Sequence, residues 1–168
     1  MSGRIVFVCT GNSCRSPLAE VMARHRYADL PLLFASAGTA AAVGGPASPG
    51  ARAVARELGL DLDAHRSAAL DAAVLSGVDW VIGLTRTHAA LVGARTSAAW
   101  PGAVGVLGAP GHDWRRHGAL VVADGAPDPD VPDPWQQDLD AYRRVAALID
   151  EALRAWAPVF RELGAGRD

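Results

Sequence analysis

Cys9 and Arg15 are separated by five residues and followed by a serine, in the segment Cys9-Thr10-Gly11-Asn12-Ser13-Cys14-Arg15-Ser16. An ionised thiol is a strong nucleophile, and an arginine guanidinium grips two oxygens of a phosphoryl group at once, which lysine does less well. Gly11 and Asn12 tolerate left-handed backbone angles, so successive N–H groups can turn inward as a nest for an anion. With a helix beginning near Ser16-Pro17, the loop becomes a phosphate cradle with Cys9 at its base. Ser16 is placed to donate a hydrogen bond to that sulfur and ease its departure from a phosphorylated intermediate. Cys9 and Arg15 are thus the expected catalytic residues, and Thr10, Gly11, Asn12, Ser13, Cys14 and Ser16 the expected substrate-binding ones. A bare Cys-x5-Arg is a weak pattern; the apolar run before it, the Gly-Asn inside it and the proline after it carry the reading.

These residues need elements that hold them. Arg4 to Thr10 is a β-branched and aromatic run, as expected of a strand buried on both faces, and Pro17, Leu18, Val21, Met22 and Tyr27 predict a helix after the loop. Leu32 to Ala37 reads as a second strand, ended by Gly38, and Ala41 to Pro49 as a Gly/Pro/Ala-rich connection. Ser48-Pro49 predicts a helix N-terminus, with Ala51, Val54, Ala55 and Leu58 on one face before Gly59. Beyond it the pattern predicts a helix over Ser67 to Leu75, a strand over Asp79 to Leu84, a helix over Thr87 to Ala94 and a strand over Ala103 to Leu107. Residues 108–129 read as a long variable loop or a loop with a small insertion. Leu139, Tyr142, Ala146, Ile149, Leu153 and Trp156 then predict a long amphipathic helix that Pro158 kinks or ends. The alternation implies a single α/β domain over 1–168, a doubly wound four-stranded parallel sheet with helices on both faces and the phosphate loop after strand 1.

Three further short motifs follow in order: Ser36-Ala37-Gly38-Thr39, His65-Arg66 and Val131-Pro132-Asp133-Pro134. Together with Val6 to Pro17 they span nearly the whole chain, which resembles the low-molecular-weight protein tyrosine phosphatases, including their protein-arginine phosphatase branch. The resemblance implies that Asp133 protonates the leaving oxygen and then activates water against a cysteinyl phosphate. Asp130 is the reserve candidate, with Asp128 a solvated loop carboxylate. It also implies that His65 braces the phosphate loop through Asn12, and that Trp135 is an aromatic wall of the pocket. Gln136 stands where relatives place a second aromatic, and the Ala40 to Pro46 loop has no large side chain, so a lid or core role for Trp135 is the other reading. Ser13 departs from the aliphatic residue of phosphotyrosine-directed members and resembles the small hydroxylated residue of the arginine phosphatases. Cys14 is read either as a core residue or as the disulfide partner of Cys9. His25, His88, His112 and His117 are expected to be surface or packing residues, and Arg115-Arg116 a solvated stretch.

Composition narrows the function. The 168 residues carry 16 basic and 18 acidic side chains, a net charge of -2, which offers no footprint for nucleic acid. Every basic residue is Arg, so a lysine-dependent nucleotide loop is excluded. Two cysteines are too few for a disulfide scaffold or a four-cysteine zinc site, no metal or cofactor is called for, and no apolar stretch approaches the roughly 18 residues that span a bilayer. Met1 to Arg4 runs into a short apolar block without a cleavage site, so a cytoplasmic location is expected. The expected activity is hydrolysis of phosphotyrosine on proteins, releasing inorganic phosphate. Phosphoarginine is the close alternative and a phosphorylated small molecule the next. Arsenate reduction lacks the later cysteines it needs, and a non-catalytic phosphate binder has no use for a thiolate and an acid.

Overall fold

β1 (Gly3–Cys9) is buried along its length except at Arg4. In the computed structural model, which describes residues 2–166, it pairs in parallel with β2 (Leu32–Gly38) on one side and β3 (Trp80–Gly83) on the other. Met1, Arg167 and Asp168 of the expected 1–168 domain lie outside the described residues. β4 (Ala103–Val106) completes a parallel sheet of order β2-β1-β3-β4, the four-stranded arrangement expected. Side chains alternate along β1: Ile5, Phe7 and Cys9 enter one core with Leu18, Val54, Ile149 and Phe160, while Val6 and Val8 enter a second with Leu75, Val92 and Val104. The first core is closed by α1 (Arg15–Arg26), α2 (Pro49–Glu57), α6 (Leu139–Ala155) and α7 (Ala157–Ala165), the second by α3 (Ala72–Leu75), α4 (Arg86–Arg95) and α5 (Trp114–His117). The chain leaves β1 towards β2 and later returns to β1's other edge, and ligands bind at the carboxyl ends of strands beside such a reversal.

Local chemistry explains the boundaries and two departures from the sequence reading. α2 begins as expected, with the Ser48 hydroxyl accepting from Ala51 N–H at 3.3 Å and Pro49 in the first turn. The helix expected over Ser67 to Leu75 shrinks to α3, because its first residues bond elsewhere: Gly38 N–H donates to Ala68 O at 2.8 Å and Leu70 N–H to Gly38 O at 2.9 Å. The long helix is broken as expected just before Pro158: α6 stops at Ala155, Trp156 separates it from α7, and Pro158 lies in the first turn of α7, where its missing N–H is harmless. Within residues 108–129, α5 forms one short turn, and Arg115 is not solvated. Its guanidinium donates to the carbonyls of Trp100, Gly102, Ser97 and Ala98 and lies 5.1 Å from the Trp100 ring centroid, tying the insertion to the turn before β4.

Candidate active site

The loop from β1 to α1 is organised around Asn12. Its φ of 51° is left-handed, whereas Gly11 is not among the positive-φ glycines, so the asparagine alone supplies the turn expected of both. Asn12 is fully buried, and its polar groups are bonded throughout. Its amide Nδ2 donates to Ser16 Oγ and Ser36 Oγ, both at 2.9 Å, and its Oδ1 accepts from Ala68 N–H at 2.9 Å. Its carbonyl accepts from Ser67 Oγ at 2.8 Å and contacts His65 Nε2 at 2.8 Å, and its N–H donates to Cys9 Sγ at 3.3 Å. Ser36 in turn donates to the Glu20 carboxylate. Glu20 takes the Ser36 hydrogen and Asn12 donates to Ser16, whose hydroxyl lies 3.0 Å from Cys9 Sγ and 3.4 Å from Ala37 O; an ionised sulfur can only accept, so Ser16 is the donor to a Cys9 thiolate. Gly38 is needed where it stands, since a Cβ there would lie 2.5 Å from Thr10 O and 3.0 Å from Asn12 N.

α1 opens directly onto the cradle. Cys14 at its N-cap makes no capping bond through its side chain, and its first turn holds no acidic residue, so its leading N–H groups are left for an anion. Arg15 is only 6% exposed; it donates to Val131 O at 3.1 Å and meets Asp133 Oδ2 at 3.3 Å. The loop that carries Asp133 is pinned by Val131 N–H donating to Leu84 O at 2.9 Å. The Asp133 carboxylate is aimed by Arg15 on one oxygen and by Trp135 N–H, at 3.1 Å, on the other. A cavity of about 590 Å³ joins these groups, with Cys9, Thr10, Gly11, Ser13, Cys14 and Arg15 below, Ala40, Ala42 and Pro46 on one wall, and Asp133 and Trp135 on the other.

A family model described as low molecular weight phosphotyrosine protein phosphatase matches residues 4–107. The chain belongs to that family. The probable low molecular weight protein-tyrosine-phosphatase EpsP of Ralstonia nicotianae is 29% identical over 160 residues, covering 95% of this chain and 97% of the relative. The low molecular weight protein-tyrosine-phosphatase Wzb of Salmonella typhimurium is 31% identical over 157 residues, covering 94% and 93%. Among solved structures, the YwlE arginine phosphatase from Geobacillus stearothermophilus superposes with a TM-score of 0.78 at 27% identity, covering 99% of this chain and 97% of that one.

In this low-molecular-weight phosphatase chain the structure brings Cys9, Arg15 and Asp133 round one cavity, together with all of the expected loop residues except Asn12 and Ser16, which lie buried beneath it. Trp135 is 54% exposed and lines the cavity, which removes the core reading. Asp130 is engaged elsewhere: the Arg86 backbone N–H at 2.7 Å and its guanidinium hold both carboxylate oxygens, and Asp128 joins the same arginine. Neither is a merely solvated carboxylate. Both cysteines are free thiols with different neighbours, Cys14 Sγ lying 3.1 Å from Ser48 Oγ and 3.4 Å from Tyr142 OH. Burial and the Cys14 contact push the Tyr142 hydroxyl up to about 12.

His88 is the residue that sequence reasoning missed most clearly. Expected at the surface or in packing, it is buried beneath the cradle with Nε2 2.9 Å from Thr10 Oγ1 and Nδ1 2.9 Å from Thr85 Oγ1. Burial and then the Arg15 charge pull its imidazolium down to about 4, so the ring is neutral and offers one donor and one acceptor to the two threonines.

Proposed function

We propose that the chain is a cysteine-dependent phosphatase that hydrolyses phosphotyrosine on proteins through a cysteinyl-phosphate intermediate. The observation that carries this reading is the Cys9 sulfur, with Asn12 N–H at 3.3 Å and Ser16 Oγ at 3.0 Å, at the base of a cavity that Arg15 and Asp133 also line. The phosphoryl group seats on the loop and α1 N–H groups and on Arg15, and the sulfur attacks phosphorus in line with the ester oxygen. As the P–O bond breaks, the Asp133 carboxyl gives its proton to the leaving phenolate. The resulting carboxylate takes a proton from water, whose oxygen attacks phosphorus as the S–P bond breaks, releasing inorganic phosphate and regenerating the thiolate. A hydrogen bond donated by Ser16 Oγ, 3.0 Å from the sulfur, stabilises the charge on the thiolate as it leaves. The half-exposed indole of Trp135 supports the tyrosine assignment, because it offers an aromatic ring a face at the cavity wall.

Phosphoarginine is the second reading, favoured by the hydroxyl of Ser13 in the cavity and by likeness to the YwlE arginine phosphatase. A side-by-side kcat/KM on one peptide carrying phosphotyrosine or phosphoarginine, with Cys9→Ser as blank, separates them. The expected result is preference for phosphotyrosine; preference for phosphoarginine transfers the assignment to the second reading, and turnover of neither points to a phosphorylated small molecule.

A further inference from the structure

Arg52 is a charge that this chemistry does not use. It lies on α2, one turn past Ser48, and lines the same cavity as Cys9, Arg15 and Asp133. Asp133 is the one carboxylate among the described residues lining that cavity, and Arg15 already holds it. Among the described residues Arg52 forms no ion pair, and its Nε is buried without a hydrogen-bond partner. A second cavity, also of about 590 Å³, lies between α1, α2 and α6 and provides the contrast. Its arginines Arg26, Arg143 and Arg154 each meet Asp150 or Glu57. A partly buried guanidinium without a partner costs free energy, and an anion that arrives with the substrate recovers it.

We propose that Arg52 is an anion subsite that binds a carboxylate flanking the phosphorylated residue, so that the substrates are phosphorylated peptides with Asp or Glu beside the phosphate-bearing side chain. This rests on the phosphatase reading of the site. The register suits it. Ser48 N–H donates to Ser13 O at 2.8 Å, which ties the start of α2 to the cradle, and Arg52 follows one turn on, about 5.4 Å along the axis. Consecutive residues of a peptide are about 3.8 Å apart at Cα, so a phosphoryl in the cradle and a neighbouring carboxylate at Arg52 are within side-chain reach of each other. The same charge acts against a lysine or arginine at that neighbouring position.

The test is binding to the Cys9→Ser chain, followed by fluorescence anisotropy with three phosphotyrosine peptides that differ only in a neighbouring Glu, Gln or Lys, and with inorganic phosphate as competitor. The Glu peptide is expected to bind about tenfold more tightly than the Gln peptide, and the Lys peptide more weakly than either. Arg52→Gln is expected to make the three equal, Arg52→Lys to keep part of the ranking, and Arg144→Gln, at an exposed position of α6, to leave it intact. Equal affinities in the Cys9→Ser chain, including no binding by any of the three, overturn the subsite, as does a ranking that survives Arg52→Gln. So does a loss of inorganic phosphate affinity as large as the loss for the Glu peptide, which marks general attraction for anions. Failure of the phosphatase reading is visible separately, as no turnover of para-nitrophenyl phosphate by the native chain or as turnover that persists in Cys9→Ser.

Discussion

The floor and the rim of the cavity are built differently. On the floor Asn12 and Ser16 are 0% exposed and Arg15 6%, and each is bonded to several elements at once. On the rim the Asp133 side chain is 51% exposed and Trp135 54% exposed, both on one loop between prolines and glutamines. A phosphoryl group has the same shape on every substrate, so donors fixed before it arrives need no reorganisation when charge develops. What surrounds the phosphoryl differs between substrates, and side chains in contact with water change partners at little cost. Damage to the floor should therefore stop chemistry on every substrate, while damage to the rim should change which substrates are used.

The largest expected effect is at the floor's centre. Cys9→Ser should lower turnover of phosphotyrosine peptides by at least about 10⁴-fold while inorganic phosphate still binds. Product release and calorimetric titration check the two halves, and residual turnover above that level would remove Cys9 as nucleophile. Asn12→Ala comes next. It deletes the bonds to Ser16, Ser36 and Ala68, so the expected losses are about 3 kcal/mol of stability in urea unfolding and about 100-fold in kcat/KM. Near-native values of both would mean that the network does not hold the floor.

The floor also predicts a pH dependence that the rim does not. His88 is 4% exposed and its imidazolium is pulled down to about 4. Its folded value lies below the unfolded value near 6.5, so the unfolded chain binds the proton more readily. The stability is complete above about 6.5 and is lost as pH falls from there towards 4, by roughly 3 kcal/mol at most. The measurement is urea unfolding of the native chain and of His88→Gln across that range. The gap between the two should close on acidification; a constant gap would mean that the imidazole does not titrate there.

How legible each region was in the sequence follows from how local its cause is. β1, the cradle and the start of α1 are continuous in sequence, and Cys9, Arg15 and Ser16 were readable from residue type, spacing and one proline. Ser48-Pro49 was readable for the same reason. The α3 boundary was not, because residues 68–70 bond to Gly38, which is distant in the chain. His88 was invisible because its partner Thr10 lies 78 positions away, and no helical or strand periodicity links two such residues. Asp130 and Asp133 look alike on paper, and only the fold gives one to Arg86 and the other to Arg15. Arg52 carries no signal in sequence, since a helix-borne arginine is ordinarily solvated.

Those two aspartates supply the stronger rim prediction. Asp133→Asn keeps shape but cannot shuttle a proton, and should lower kcat by about 100-fold on phosphotyrosine peptides. The loss should be smaller on para-nitrophenyl phosphate, whose leaving group needs less protonation. Asp130→Asn, which disturbs only the contact with Arg86, should leave both substrates close to the native rate. If the two variants exchanged places in the kinetics, Asp130 would be the acid.

The smallest effect expected is at Trp135. Stacking of an aromatic pair is worth about 0.5–1.5 kcal/mol beyond burial, so Trp135→Ala should raise KM for a phosphotyrosine peptide by roughly threefold to tenfold. Stability should move by no more than about 0.5 kcal/mol, since the indole is largely exposed. The contact that aims Asp133 comes from the Trp135 backbone N–H at 3.1 Å, which alanine retains, so kcat should stay near its native value. A phosphoserine peptide, with no ring to stack, should lose less than the phosphotyrosine peptide, and the preference between them should narrow. A fall in kcat with KM unchanged would mean that the indole orders the acid loop instead of the substrate, and the rim would then share the floor's task of positioning the chemistry.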